Sequence, residues 1–131
     1  MDITALQTRL GEFAQARDWE QFHTPKNLAR ALAAEAGELL EIFQWLTDEQ
    51  AAAITESDAD LQLVHDELAD ILIYLVRMAD VLGINLEDAV EAKLLRNERK
   101  YPVELAKGNA IKYDRRESGG SYGPVQADEA G

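Results

Sequence analysis

A chain of 131 residues and 14.6 kDa is one domain's worth of polypeptide, enough for a single core. Its 25 acidic residues against 13 basic ones give a formal net charge of −12. A surface of that sign repels a phosphate backbone and excludes a general nucleic-acid binder, while the absence of cysteine excludes disulfides, thiolate zinc sites and a cysteine nucleophile. The opening residues MDITALQTRLGEF lack the basic start and apolar run of a signal peptide. No stretch reaches the roughly 18 uninterrupted apolar residues of a membrane span. The expectation is a soluble cytoplasmic protein with no membrane partner.

Helical periodicity accounts for most of the chain. Ile3, Leu6, Leu10 and Phe13 recur at spacings of three and four and predict a first helix from Asp2 to Ala16. Thr24-Pro25 pairs a capping hydroxyl with a proline at the first helical position. It predicts a second helix from Pro25 to Leu46 with Leu28, Leu32, Leu39, Ile42 and Phe43 along its core face. The polar segment DEQAAAITESDAD is expected to be a loop with at most a short helical turn. A third helix is predicted over residues 61–82, nearly apolar through ILIYLVRMADVL and ended by Gly83. Asn85 starts a fourth, LEDAVEAKLLRNERK, which Tyr101-Pro102 stops. Strand alternation and hairpin turns are missing, so the fold class is all-α, with the domain over residues 1–117. The glycine-rich stretch 118–131 reads as a disordered tail. A helix as apolar as residues 61–82 asks for cover on most of its circumference, which predicts a homo-oligomer.

Charges stand where that pattern wants apolar residues. Glu35 and Glu38 lie within LARALAAEAGELLEIFQWL, and Glu67 and Asp70 within LVHDELADILIYLV. Each pair is spaced i, i+3, which sets its two carboxylates on one helical face. Two anionic pairs beside a core repel each other and suffer desolvation unless something positive lies between them. Hard divalent cations with oxygen ligands meet that need, Mg²⁺ or Mn²⁺ rather than zinc. Glu41 is placed to add a further oxygen. A di-iron bundle needs Glu-x-x-His on two helices. The chain has that spacing once, at Glu20 and His23, while His65 follows Gln62 instead.

Glu35-x-x-Glu38, the 28 residues from 39 to 66, then Glu67-x-x-Asp70 resembles the signature of the all-α nucleoside triphosphate pyrophosphohydrolases of the MazG-like family. The segments RDWEQFHTPKNLARALAAEAGELLEIFQW, LADILIYLVRMAD and NERKYP are similar to its dCTP pyrophosphatase branch, so that the likeness spans about residues 4–116. The resemblance implies a four-helix-type MazG-like bundle, oligomeric as a dimer or homotetramer. It implies that NTP and water give NMP and diphosphate with Mg²⁺, which Mn²⁺ can replace. The catalytic metal ligands it implies are Glu35, Glu38, Glu67 and Asp70. It also assigns Trp19 and His23 to the base pocket, and Lys93, Asn97, Lys100 and Tyr101 to phosphates and sugar; Tyr74, four residues after Asp70 and so on the same face, and Trp45 are further candidates for substrate contact. A triphosphate reaches so acidic a protein only through cations, which agrees with the carboxylate pattern.

Each assignment has a plainer rival: core packing for the aromatics, a brace at the Thr24-Pro25 helix start for His23, and a solvated basic last turn for the fourth helix. Lys26 and Arg30 are placed to meet a phosphate or merely water. Leu10 stands where the dCTP-preferring animal enzymes of the branch have a histidine, so strict dCTP preference is not implied. The alternatives are the same reaction on dUTP, on a broad NTP set or on phosphoribosyl-ATP, or a non-catalytic nucleotide- or metal-binding bundle.

Overall fold

The computed structural model describes residues 1–108, so the stretch 118–131 lies outside the described residues. Among those described, the regular elements are all helical: α1 (Ile3–Ala16), α2 (Pro25–Phe43), α3 (Asp48–Ala52), a 3₁₀ turn (Ala53–Glu56), α4 (Asp58–Leu82), α5 (Leu86–Lys100) and α6 (Val103–Ala106). The chain divides into two compact units after Leu86.

In the first unit, α4 packs chiefly against α2 and also against α1. Ala14, Leu28, Val76 and Ala79 are the buried apolar side chains where those helices meet. The boundaries follow the capping residues. Asp2 accepts a hydrogen bond from the Ala5 amide at 2.9 Å, and Thr24 accepts one from the Asn27 amide at 3.2 Å, with Pro25 just inside. Gly83 ends α4 with φ of 68°, the left-handed conformation that glycine takes at no steric cost.

The segment 48–60 is more ordered than a polar loop. Thr47 and Gln50 form a capping box, side chain to backbone in both directions at 3.1 and 2.9 Å, which starts α3. Ser57 caps α4 through the Asp60 amide, and Asp58 and Asp60 complement the positive end of the helix. Helix α4 therefore begins at Asp58 rather than near residue 61. Polarity in this segment reports caps, not coil.

Between α1 and α2, Asp18 takes φ of 54°. The Trp19 amide bonds to the Ala14 carbonyl and the Asp18 amide to that of Gln15. This paired C-terminal closure reverses the chain and delivers Trp19, then His23, back toward α1 and α4.

The second unit opens with α5. Lys93, Asn97 and Lys100 recur at helical spacing and share a half-buried face, and the buried amide oxygen of Asn97 has no hydrogen-bond partner among the described residues. Tyr101 closes the helix with its amide on the Asn97 carbonyl at 2.8 Å. No described helix is long and apolar enough to cross a membrane.

Candidate active site

Helices α2 and α4 bring the two acidic motifs of the first unit together. Glu35, Glu38 and Glu67 each offer a carboxylate oxygen, and all three oxygens lie within 4.8 Å of one another. Asp70 stands one turn beyond Glu67 and outside that set, close enough for its charge to act on Glu35. The buried Oε2 atoms of Glu35 and Glu67 have no hydrogen-bond partner among the described residues. Ionised carboxylates only accept hydrogen bonds, so a hydrogen bond between the Glu35 and Glu67 carboxyl groups exists only while a proton lies between them, and it leaves these two oxygens unpaired.

That coupling holds Glu35 above the usual carboxylate range. The hydrogen bond with Glu67 is its main cause, followed by burial and, more weakly, by the charges of Asp70 and Glu67, with a contact from Glu38 opposing. Glu38 is raised too, first by its hydrogen bond with Glu35 and then by the charge on Glu35. The cluster is thus short of positive charge and of hydrogen-bond donors at once. An oxygen-binding divalent cation supplies the first and removes the need for the second, so the donor set fits such an ion.

Beside the cluster, and bordered by Asp70, lies a cavity of about 420 Å³. Helix α1 contributes Leu6, Arg9, Leu10 and Phe13; the turn after it contributes Trp19 and His23; and α4 contributes Asp70, Ile73, Tyr74 and Arg77. Phe13 meets Trp19 edge-on at 5.7 Å between ring centroids, and Trp19 meets His23 likewise at 6.3 Å. A slot with aromatic walls and a few polar groups suits a flat, partly polar guest such as a base.

Three of the four aromatic residues assigned from sequence, Trp19, His23 and Tyr74, therefore line one cavity, which ends at Asp70. Trp45 follows the end of α2, is 86% exposed and is not part of that lining. Lys93, Asn97, Lys100 and Tyr101 belong to the second unit, described above.

Sequence reasoning passed over Arg77. It is only 8% exposed; its Nε donates to His23 Nδ1 at 3.0 Å and its Nη1 to Asp80 Oδ2 at 2.8 Å. Gly11 of α1 lies against this pair, a Cβ there meeting Asp80 Oδ2 at 3.6 Å and Arg77 Nη1 at 3.8 Å. Burial, then the Arg77 charge, lowers the His23 pKa and keeps the imidazole neutral. The signal was present: one arginine inside ILIYLVRMADVL is as misplaced as the acids that preceded it.

Comparison with known proteins agrees with this arrangement. Residues 31–115 match the model of the MazG-like family, and the chain belongs to that family. Bovine dCTP pyrophosphatase 1 is 49% identical over 102 residues, 78% of this chain and 60% of that protein. The human protein of the same name is 42% identical over 119 residues, 91% of this chain and 68% of that one. The chain thus spans about three fifths of the bovine relative's length. The crystal structure of a pyrophosphatase from Archaeoglobus fulgidus superposes with a TM-score of 0.69 at 43% identity, covering 78% of this chain and 94% of that one.

Proposed function

We propose that this protein is a Mg²⁺-dependent nucleoside triphosphate pyrophosphohydrolase that converts dCTP, or a modified dCTP, and water to the monophosphate and diphosphate. The observation that carries the reading is the pair of buried, unpartnered carboxylate oxygens on Glu35 and Glu67, in a cluster whose neighbour Asp70 borders an aromatic cavity. Those are the requirements of a molecule with a metal-chelating anionic end and a flat end. The names of the mammalian relatives and of the archaeal structure favour the same chemistry.

Glu35, Glu38, Glu67 and Asp70 would hold the cation. When bound, the cation neutralises triphosphate oxygens and polarises the phosphorus under attack. The chain's own groups do the rest. Trp19, Phe13 and Tyr74 line the cavity and would stack against the base, which orients the triphosphate toward the carboxylate end. An unligated carboxylate oxygen, on Glu38 or its neighbour Glu41, would accept the attacking water's proton. Both carboxyls lie on α2, three residues apart. For Lys93, Asn97, Lys100 and Tyr101, contact with phosphate and sugar rests on sequence resemblance, and Trp45 is a candidate only as an aromatic side chain near the end of α2.

The domain carrying the activity is taken as residues 1–117, acting in the cytoplasm on free nucleotides rather than nucleic acid. A homo-oligomer, dimer or tetramer, is supported by large apolar side chains left exposed on α2 and α4, among them Leu40, Leu63 and Leu68. Leu10 borders the cavity and offers the base no hydrogen bond, so related pyrimidine triphosphates such as dUTP remain competing substrates.

Diphosphate release from dCTP, dUTP, dTTP, dATP and dGTP, each with Mg²⁺ and with EDTA, tests the reading. Mg²⁺-dependent release led by dCTP is the expected result. Folded protein that releases none from any of the five would overturn it.

A further inference from the structure

We propose that Arg77 reads the base in this pocket: its guanidinium, aligned by Asp80 and His23, selects a base with two adjacent hydrogen-bond acceptors, such as O2 and N3 of cytosine, over adenine. The inference rests on the reading of the cavity as the nucleotide site and adds the group that decides which nucleotide enters.

Position comes first. Asp70, Tyr74 and Arg77 follow one another at spacings of four and three on α4, and all three line the cavity. Seven residues of α-helix span about 10 Å, comparable with the reach from a nucleotide's phosphate to the far edge of its base. With the phosphates at Asp70, the base edge arrives at Arg77.

Donor chemistry comes second. Arginine carries five N–H donors and no acceptor. The hydrogen bonds to His23 and Asp80 use two of them, on Nε and Nη1, and among the described residues nothing takes the others. Because arginine can only donate, His23 Nδ1 must be the acceptor, and the neutral ring then carries its proton on Nε2. Arg9, exposed and also in the lining, adds further donors at the rim. Around Arg77 the cavity therefore offers donors with no acceptor of their own left for the guest to satisfy. Cytosine meets it with two neighbouring acceptors, which suits the planar fork of a guanidinium. Adenine sets its amino group against it, donor against donor, and leaves buried N–H groups unpaired.

Rigidity comes third. A guanidinium held on two sides loses little further freedom when a ligand binds. Helix α1 passes close by at Gly11, where an added Cβ would stand 3.6 Å from Asp80 Oδ2 and 3.8 Å from Arg77 Nη1.

The test is kcat/KM for dCTP and for dATP in the full chain with Mg²⁺, for wild type, Arg77→Met and the double variant Arg77→Met/Asp80→Asn. The double variant leaves no unpaired carboxylate and guards against misfolding, which circular dichroism checks. We expect dCTP to lose roughly 10- to 100-fold more than dATP, with the loss carried by KM rather than kcat. Equal losses for both nucleotides would reduce Arg77 to packing and overturn the proposal, as would an unchanged preference. Calorimetric affinities for dCMP and dAMP separate this inference from the hydrolase reading. Wild type that binds dCMP preferentially, through Arg77, yet hydrolyses nothing would sustain base reading and refute hydrolysis. Wild type that binds both alike would refute base reading.

Discussion

Helix α4 buries charge twice, and the two places treat it oppositely. At Arg77 the charge is paired within the chain, although donors remain for a guest: Asp80 neutralises the guanidinium at 2.8 Å and His23 accepts from it at 3.0 Å. At Glu67, one helical face away from apolar neighbours, such pairing is missing. Three carboxyl groups crowd within 4.8 Å, two of their buried oxygens lack partners, and Glu35 and Glu38 are pushed toward the protonated form. A buried charge paired within the chain is held in one geometry, whereas crowded like charges are relieved by a proton or a cation. On the proposed reading, the first part of this contrast orients a base and the second holds a cation.

The largest effect that could break the contrast is at the incomplete end. Glu67→Gln should lower diphosphate release by roughly 10²- to 10³-fold, the scale of several kcal/mol of lost electrostatic stabilisation. The same change should raise the melting temperature of the metal-free protein, because it removes a repelling charge, and should erase the stabilisation that Mg²⁺ gives wild type. Full turnover in this variant would show that the cluster is merely a solvated acidic face.

At the completed end the sign reverses. Arg77→Met should destabilise the protein by about 1–3 kcal/mol, since it leaves Asp80 and His23 Nδ1 without their donor. Denaturant unfolding measures the difference, and the added Asp80→Asn change should recover part of it.

A smaller effect concerns pH. The folded-state pKa of His23 is lowered, first by burial and then by Arg77, so the unfolded chain takes up a proton before the folded one does. Its contribution to stability is complete above the ordinary histidine value of about 6.5 and is lost as pH falls through the lowered folded value. Relative to His23→Gln, wild type should lose stability on acidification below that pH, with a slope of at most about 1.4 kcal/mol per pH unit. Parallel curves would mean that the imidazole is not held neutral. Smallest of all, Gly11→Ala places its methyl at van der Waals distance from Asp80 and Arg77 and should stabilise α1 by about 0.5–1 kcal/mol, the usual gain over glycine inside a helix.

The sequence made one half of the contrast plain and hid the other. Paired acids at i, i+3 inside apolar helices are a local pattern, so Glu35, Glu38, Glu67 and Asp70 were legible before any fold was known. Helix starts at Thr24-Pro25 and the stop at Gly83 were legible for the same reason, because capping is settled within a few residues. The Arg77 network was not. Its partner His23 lies 54 residues away, and no periodicity reports an acceptor at that separation. Segment 48–60 misled through its polarity, because Thr47, Gln50 and Ser57 satisfy backbone amides and thereby make helix from residues that look like loop. Trp45 shows the converse limit: an aromatic between Gln44 and Leu46 resembles a packed residue in sequence, and it stands 86% exposed.

The central claim is that the unsatisfied carboxylates act on a triphosphate whose base occupies the adjoining cavity. Phosphorus-31 spectra of dCTP incubated with the protein and Mg²⁺ test it most directly, because they show which anhydride bond breaks. The expected products are dCMP and diphosphate, with the triphosphate persisting when EDTA is present. A triphosphate left intact by folded, Mg²⁺-loaded protein, or cleavage to dCDP and orthophosphate, would contradict it.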